Sequence, residues 1–277
     1  MYKRVLTLLL FVILFTTAAV AQGEKSNKQN ETFTVNGVSF TMVYVQGGTF
    51  IMGCTGEQGI DCEDDETPTH KVTLNSYYIG ETEVTQAMWR AVMGSEPSNV
   101  SAPHDDYIGD VSGWSEELGL GGSYPAYNVS YDEIQEFIRR LNELTGRVFS
   151  LPTEAEWEFA ARGGESGGYK YSGSNTIDEV AWYEGNSDGR NHPVKGKRPN
   201  ALGLYDMSGN VYERCLDWYG DYSSGSQTNP KGPLSGPSVV FRGGSWYFYA
   251  RACRISRRLN YDLDDIDNCG GFRLVLH

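Results

Sequence analysis

The segment LPTEAEWEFAARGG, residues 151–164, predicts a short capped helix near the middle of the sequence. Thr153 can cap the helix, and Glu156 stands three residues further on, which is the spacing of a capping box. The helix is expected to end at Ala161 because two glycines follow shortly after it. Its large apolar side chains are expected in the core: Trp157 and Phe159.

Two further helices are predicted upstream of this segment. The longer one covers Tyr131–Leu144, where Ser130 can cap the start and Gly146 follows the end. Its apolar side chains recur on one face: Ile134, Phe137, Ile138 and Leu141. A shorter amphipathic helix is predicted over Thr85–Met93, with Thr85 near its N-cap.

Strand signals are short and scattered. Phe33–Val45 alternates around Asn36-Gly37 and predicts a β-hairpin. Single strands are predicted over Lys71–Tyr78, Val239–Phe241 and Gly271–Leu276. Since there is no repeat, linker or change of composition, we expect one loop-rich α+β domain over residues 33–277.

The composition limits the classes of protein that the chain can be. Its 277 residues are 39% hydrophobic and include 18 Tyr, which is enough apolar material for a packed core and excludes a disordered chain. Gly, Ser and Asn outnumber the strong helix formers over most of the length, which argues against a helix bundle. A net charge of −13 argues against a nucleic-acid partner.

The N-terminus resembles an export signal. Two basic residues precede the apolar stretch Val5–Phe15, and the small-residue pattern Ala19-Val20-Ala21 follows it. Residues 1–21 are therefore predicted to be a signal peptide, and 22–32 a flexible polar leader. The apolar stretch is too short to span a bilayer, so we expect no membrane span and a periplasmic, cell-surface or secreted protein.

Export favours disulfides among the five cysteines. Cys54 and Cys62 enclose a short Gly/Asp-rich loop and are predicted to form one. Cys215 with Cys253 is a candidate for a second, which would leave Cys269 unpaired. A zinc site is not expected, because there is no C-x-x-C pair and the four His are scattered.

Nine short motifs follow one another between Phe40 and His277. They are Phe50-Ile51-Met52-Gly53, Glu66-x-Pro68-x-His70-x-Val72, Glu83-Val84-Thr85, Asn128-Val129-Ser130, Leu151–Glu158, Ala160–Gly164, Gly203–Val211, Arg242–Trp246 and Gly271-Phe272-Arg273. Together they resemble the formylglycine-generating enzyme, or sulfatase-modifying factor, family. The resemblance implies a loop-rich variant of the C-type lectin fold, which hosts both enzymes and pure binding proteins.

The resemblance also implies a calcium site. Asp206, Gly209, Val211 and Glu213 match a family site in which side-chain oxygens and backbone carbonyls surround Ca²⁺. Oxygen ligands on a tight Gly-Asn turn suit this ion, which we expect to stabilise the fold. The alternative is that the two carboxylates are simply solvated on a loop.

A copper site is not expected. Active family members bind Cu(I) through two cysteines five residues apart, whose thiolates suit this soft ion. Here Cys253 occupies the second position, but Phe248 occupies the first. The family's usual Trp-Glu-Trp is also altered, to Tyr212-Glu213-Arg214. If the protein is nevertheless an enzyme, Cys253 is its candidate catalytic residue.

The last thirty-one residues have an unusual composition. From Tyr247 to His277 the chain contains no Lys, Glu, Gln, Met or Trp, although the preceding part uses all five. These are the residue types whose codons cannot end in a pyrimidine. The pattern is similar to the variable proteins of diversity-generating retroelements, in which adenine-directed mutagenesis rewrites a surface patch. The alternative is an ordinary family loop that is rich in Asn, Asp and Tyr.

The tail of the chain is accordingly the expected ligand-binding surface, here named the C-terminal face. Its predicted residues are Tyr247, Phe248, Tyr249, Arg251, Asn260, Tyr261, Asp262, Leu263, Asp264, Asp265, Ile266, Asp267 and Asn268. Aromatic and short polar side chains of this kind make good paratopes. Nearby arginines could contact an anionic ligand or form salt bridges within the acidic chain: Arg251, Arg254, Arg257 and Arg258.

We therefore expect an exported, calcium-stabilised scaffold that binds a protein or glycan ligand. One alternative is a formylglycine-generating oxidase acting on sulfatase cysteines. The other is a structural component of a bacterial envelope assembly. The sequence does not predict the oligomeric state.

Overall fold

The structure is a computed structural model that describes residues 29–98, 113–165, 167–263, 265 and 267–277. The predicted signal peptide, residues 1–21, lies outside the described residues, as do Asp264 and Ile266 of the C-terminal face. Within the described part of the chain, no helix has both the length and the apolar character needed to cross a bilayer.

Strands and short helices alternate along the described chain. The strands are β1 (Glu31–Val35), β2 (Val38–Val45), β3 (Thr49–Met52), β4 (His70–Thr73), β5 (Tyr77–Gly80), β6 (Phe149–Ser150), β7 (Tyr212–Trp218), β8 (Gln227–Thr228), β9 (Ser238–Arg242), β10 (Arg258–Asp262), β11 (Gly270–Phe272) and β12 (Val275–Leu276). The α-helices are α1 (Gln86–Met93), α2 (Tyr131–Thr145) and α3 (Glu154–Ala161). The three sheets have the orders β1-β2-β5-β12-β6, β10-β9-β7-β11 and β3-β4-β8. The α+β prediction is confirmed.

The predicted hairpin is present as β1 and β2. The pairing runs from Glu31 opposite Met42 to Val35 opposite Val38. Asn36 and Gly37 form the turn with φ of 48° and 84°, the left-handed values that a two-residue hairpin turn requires. The first strand begins two residues before the predicted start. Because β12 lies between β5 and β6, the first and last described strands belong to one sheet.

Capping signals place the three helices correctly. The side chains of Thr85, Ser130 and Thr153 each accept a hydrogen bond from the backbone N–H three residues on. The helices that follow Ser130 and Thr153 also have the reciprocal bond of a capping box. These local signals suffice because a cap involves only residues of its own turn.

Two predicted strands each divide into two. Lys71–Tyr78 contains parts of β4 and β5, which belong to different sheets, and the Leu74 amide between them donates to Gly48 O at 2.9 Å. Gly271–Leu276 likewise divides into β11 and β12, on either side of the buried Arg273. An alternating pattern shows that a segment is extended, but not which sheet it joins.

Five strands were not predicted: β3, β6, β7, β8 and β10. β7 lies between β9 and β11, and three of its charged residues are buried: Glu213, Arg214 and Asp217. Rules that place charged residues on the surface exclude such a segment from the core. Ion pairs with distant residues make its burial possible, and the local sequence does not show them.

Helix α3 is buried on all sides, and its carboxylates are paired with arginines from later in the chain. Glu158 forms ion pairs with Arg162, at 2.8 Å, and with Arg242. Glu154 accepts two hydrogen bonds from Arg258, at 2.6 and 2.9 Å. Trp157 and Phe159 are fully buried, as predicted. A charge this deep requires a partner, so α3 can pack only when the C-terminal segment is in place.

Removing one buried carboxylate charge tests this dependence. In Glu158→Gln the side chain keeps its shape, but two buried guanidinium groups lose an opposite charge. We expect the free energy of unfolding, measured by urea titration with tryptophan fluorescence, to fall by about 3–5 kcal/mol. Glu136→Gln is the control, because its carboxylate pairs with Arg139 on the exposed side of α2. If the two variants lost the same free energy of unfolding, the packing of α3 would not depend on its buried ion pairs.

Candidate functional site

The segment predicted to hold calcium forms a buried turn that leads into β7. Asp206 is 3% exposed, and its Oδ2 accepts a hydrogen bond from the Lys195 amide at 2.8 Å. Its other oxygen, Oδ1, is buried and has no hydrogen-bond partner among the described residues. Burial raises the pKa of Asp206 to about 6. This carboxyl therefore lies in surroundings that disfavour its charge and leave one oxygen unsatisfied.

Glu213 lies in the same region, but its carboxylate already accepts hydrogen bonds from other side chains of the protein. Arg273 donates to both carboxylate oxygens, at 2.6 and 2.9 Å, and Trp157 Nε1 donates to Oε2 at 2.7 Å. Both the charge and the lone pairs of Glu213 are thus engaged within the protein. The Arg273–Glu213 pair joins β7 to the segment between β11 and β12.

A third carboxyl, Glu83, completes this cluster and was not assigned from the sequence. Its Oε1 accepts a hydrogen bond from Asn210 Nδ2 at 3.1 Å, whereas Oε2 is buried with no partner in the described chain. Burial, and next the negative charge of Asp206, raise the pKa of Glu83 well above its usual value. Glu83 belongs to the motif Glu83-Val84-Thr85, but nothing local shows that this glutamate points inward.

The cluster contains more carboxyl groups than cations. Glu83, Asp206 and Glu213 are all buried. The positive groups that oppose the raised pKa values of Glu83 and Asp206 are the buried guanidinium of Arg273 and the exposed ammonium of Lys195. The two unsatisfied oxygens, one on Glu83 and one on Asp206, are the hard ligands that Ca²⁺ prefers. A cavity of about 340 Å³, lined in part by Glu83 and Lys195, gives access to this region. The two unsatisfied oxygens therefore have the chemistry that a divalent cation needs, while the ligand atoms of the three carboxyl groups do not all lie within 4.8 Å of one another.

The cysteines fall into two groups. Cys54 and Cys62 form the predicted disulfide. The second candidate bridge, Cys215–Cys253, is wrong: Cys215, Cys253 and Cys269 are all buried free thiols. Spacing in the sequence could not show this, because Cys215 packs in a different hydrophobic cluster from Cys253.

Cys253 is in poor surroundings for a nucleophile or a metal ligand. It is fully buried in a small cluster with Tyr171 and Val180, and burial raises the pKa of its thiol to about 12. Phe248, at the position of the missing cysteine, packs its ring against Tyr212 at 5.2 Å between centroids. The thiol is thus protonated at neutral pH, and the nucleophilic species is the thiolate.

The predicted C-terminal face is partly exposed. Tyr249, Arg251, Asn260 and Asp262 are exposed, with 65% of Tyr249 accessible. The half-buried members are Tyr247, Phe248, Tyr261, Leu263, Asp265 and Asp267. Asn268 is only 4% exposed, so we leave it out of the face.

Contacts join the two stretches of the face. Trp246 Nε1 donates to Asn268 O at 3.1 Å, and the Tyr247 ring packs edge-on against Trp246. The Tyr261 hydroxyl is hydrogen-bonded to Asp267. Residues 247–249 and the described residues of the second stretch, 260–263, 265 and 267, are therefore parts of one surface.

Arg214, where the family usually has tryptophan, supports the second stretch from below. It is 2% exposed and donates to Leu263 O and Asp265 O, both at 3.3 Å. Its guanidinium also lies 4.8 Å from the Phe241 ring centroid.

Three of the four nearby arginines form salt bridges, which was one of the two alternatives. Arg254 pairs with Glu66 and Arg258 with Glu154, and both arginines are buried. Arg257 pairs with Glu63 at 2.8 Å. Arg251 is exposed and remains the cationic candidate for contact with a ligand.

Comparison with known proteins agrees with this architecture. Residues 26–277 match the sulfatase-modifying factor enzyme 1-like domain. The chain belongs to the sulfatase-modifying factor family. It is 31% identical to a formylglycine-generating enzyme of Streptomyces coelicolor, over 83% of this chain and 87% of that protein. It is also 31% identical to the chaperone protein LppX of Paenibacillus barcinonensis, over 86% and 90% of the two chains.

Solved structures of the family show the same fold. Treponema denticola variable protein 1 is 32% identical, with a TM-score of 0.74 over 89% of this chain and 98% of that one. PvdO from Pseudomonas aeruginosa is 26% identical, with a TM-score of 0.78 over 91% and 100%. The names of these relatives include an enzyme, a chaperone and a variable protein, so membership of the sulfatase-modifying factor family does not by itself give the function.

Thiol labelling tests whether Cys253 is a buried, unreactive thiol. We expect iodoacetamide at pH 7.5 to leave the native protein unlabelled and to label all three free cysteines in guanidinium chloride. Peptide mapping by mass spectrometry gives the position of each label, and the Cys54–Cys62 disulfide is the internal control. Rapid labelling of Cys253 in the native protein would show a reactive thiol and contradict the assignment.

Proposed function

We propose that this protein is an exported binding scaffold of the sulfatase-modifying factor family, with its ligand, a protein or a glycan, at the C-terminal face. The observation that carries the proposal is the arrangement of the last thirty-one residues. Exposed Tyr249, Arg251, Asn260 and Asp262 stand on a backbone whose intervening residues are buried or half-buried. A large aromatic contact on a fixed backbone binds with little loss of conformational entropy. The Cys54–Cys62 disulfide supports export.

The face is, in this proposal, diversified by a retroelement. Its amino-acid composition is compatible with adenine-directed mutagenesis, because residues 247–277 lack the five residue types whose codons cannot end in a pyrimidine. The similarity to Treponema denticola variable protein 1 supports this origin. The exposed positions of the face are expected to accept substitutions without loss of packing, which a diversified surface requires.

Calcium is proposed as a structural ion of the scaffold. Asp206 and Glu83 would hold it through their unsatisfied oxygens, with backbone carbonyls of Gly209 and Val211. Glu213 lies beside them but is engaged by Arg273. The ion would neutralise the excess negative charge of the cluster and so stabilise the fold.

An oxidase acting on sulfatase cysteines is the second candidate function. The similarity to the formylglycine-generating enzyme of Streptomyces coelicolor favours it. Copper chemistry would depend on Cys253, since Phe248 offers no ligand atom. A Cu(I) titration of the reduced protein against a competing chelator separates the candidates, because absence of tight Cu(I) binding removes the oxidase.

Thermal unfolding with and without calcium tests the structural ion. We expect CaCl₂ to raise the Tm of the wild type by about 5 °C or more relative to EDTA. Glu83→Gln is expected to lose this rise and, in EDTA, to be at least as stable as the wild type, because it removes one of the crowded charges. Glu143→Gln, at an exposed carboxylate on α2, should respond to calcium as the wild type does. An unchanged rise in Glu83→Gln would exclude Glu83 as a ligand.

Two matched libraries test the scaffold. The first randomises the exposed codons of the face: Tyr249, Arg251, Asn260 and Asp262. The second randomises four buried codons of the same segment: Arg254, Ile255, Ser256 and Arg258. On the yeast surface, we expect most clones of the first library and almost none of the second to resist protease, because only the second breaks ion pairs and packing.

Selection then tests binding. The first library, sorted against a purified test protein such as lysozyme, is expected to give binders. A third library, with four exposed α2 positions randomised, is the control surface. If the two surfaces give binders equally often, or if the face library does not fold, the binding proposal fails.

A further inference from the structure

A second cavity, separate from both the C-terminal face and the Glu83–Asp206 cluster, lies at the end of β7. Its volume is about 480 Å³, within the range of small-molecule sites. Its walls come from the N-terminus of α3, the end of β7, β8 and the loops around them, and none of its lining residues belongs to the C-terminal face. The calcium cluster contributes no lining residue either.

Asp217 provides a polar group at the base of this cavity. It is 4% exposed, and its Oδ2 accepts a hydrogen bond from the Glu154 amide at 2.9 Å. No described residue donates to Oδ1. That oxygen faces Gly232, where a Cβ would lie only 3.1 Å from it, so a glycine with φ of 69° allows the loop to pass this close. Asp217 lines the cavity, and an oxygen that has no hydrogen-bond partner among the described residues is available to a ligand there.

The charges at the base of the cavity are compensated internally. Glu154 is held by two hydrogen bonds from Arg258 and one from the Tyr222 hydroxyl, at 3.2 Å. Arg258 in turn lies 4.0 Å from the Tyr222 ring centroid. Burial, and next the charge of Glu154, raise the pKa of Asp217 to about 8, so this carboxyl keeps its proton at pH 7. Asp221 and Lys231 also line the cavity, but both are exposed and they are opposite in sign, so a charged ligand beside the buried Asp217 would bury its own charge at a cost.

The upper wall supplies neutral polar groups and aromatic surface. Gln227 and Thr228 line it, and their side chains have no hydrogen-bond partner in the described chain. Trp218 is half-buried beside them. Hydroxyl-rich ligands both donate and accept hydrogen bonds, and their C–H faces pack on aromatic rings. The hydroxyl groups and C–H faces of such a ligand match the amide, hydroxyl, protonated carboxyl and indole groups of the cavity.

We propose that this cavity binds a neutral saccharide of one or two sugar units, through Asp217 Oδ1 and Gln227 with Trp218 as the apolar wall. The site is independent of the function proposed for the C-terminal face. Its specificity against charged sugars follows from the internal pairing of Glu154 with Arg258.

Saturation-transfer NMR and calorimetry on the full mature chain test this site with defined probes. The neutral probes are glucose, galactose, mannose, N-acetylglucosamine, maltose and cellobiose, and the charged probes are glucose 6-phosphate and glucosamine. We expect at least one neutral probe to bind with a Kd on the order of 1 mM, and the charged ones to bind at least tenfold more weakly.

Variants test whether the sugar probes bind in this cavity. Gln227→Ala removes a side chain with no structural partner and is expected to weaken binding about fivefold. Asp217→Leu should abolish binding, but it also removes the acceptor of the Glu154 amide, so Gln227→Ala is the variant that preserves the fold. Leu234→Ala, at a fully exposed residue outside the lining, is the control and should bind normally.

Three results would overturn the proposal. The first is that no neutral probe binds at tens of millimolar, and the second is that charged probes bind as well as neutral ones. The third is that Gln227→Ala binds like the wild type while Tyr249→Ala loses binding. That result would place the sugar on the C-terminal face and would leave the function proposed for the face intact.

Discussion

The buried ion pairs between carboxylates and C-terminal arginines are the interaction on which the rest of this structure depends. Glu158 on α3 pairs with Arg242, Glu154 on α3 with Arg258, and Glu213 on β7 with Arg273. Each partner lies at least sixty residues later in the chain. Since an unpaired charge at these depths costs several kcal/mol, the last part of the chain must return to α3 and β7 at three fixed points.

Those fixed points also explain where the exposed stretches lie. Residues 247–251 fall between Arg242 and Arg258, and residues 260–267 fall between Arg258 and Arg273. Each stretch is thus a connection between two buried arginines, and its described side chains are exposed or half-buried. A protein can change such connections extensively without losing its fold, and anchored connections still present a defined surface to a ligand. The third anchor, Arg273, also borders the Glu83–Asp206 cluster, so a bound cation would stabilise the same framework.

The sequence predicted what depends on neighbouring residues and missed what depends on distant ones. The caps at Thr85, Ser130 and Thr153 and the Asn36-Gly37 turn are local, and all four were found. Strand β7 was missed because Glu213 and Arg214 look like surface residues until their partners are known. Glu83 was missed for the same reason, since its burial is set by Asn210 and Asp206 from more than a hundred residues away. The C-terminal face was predicted from composition, which does not report that Asn268 is buried.

Population sequencing of the 3′ end of the gene, with its downstream DNA, tests the central claim most directly. We expect substitutions at template adenines that cluster in the codons of the exposed residues: Tyr249, Arg251, Asn260 and Asp262. The codons of Arg242, Arg258 and Arg273 should be invariant, and a near-repeat with a reverse transcriptase gene should lie nearby. An invariant 3′ end with no such neighbour would contradict diversification, and changes spread equally over buried and exposed codons would contradict the anchored face.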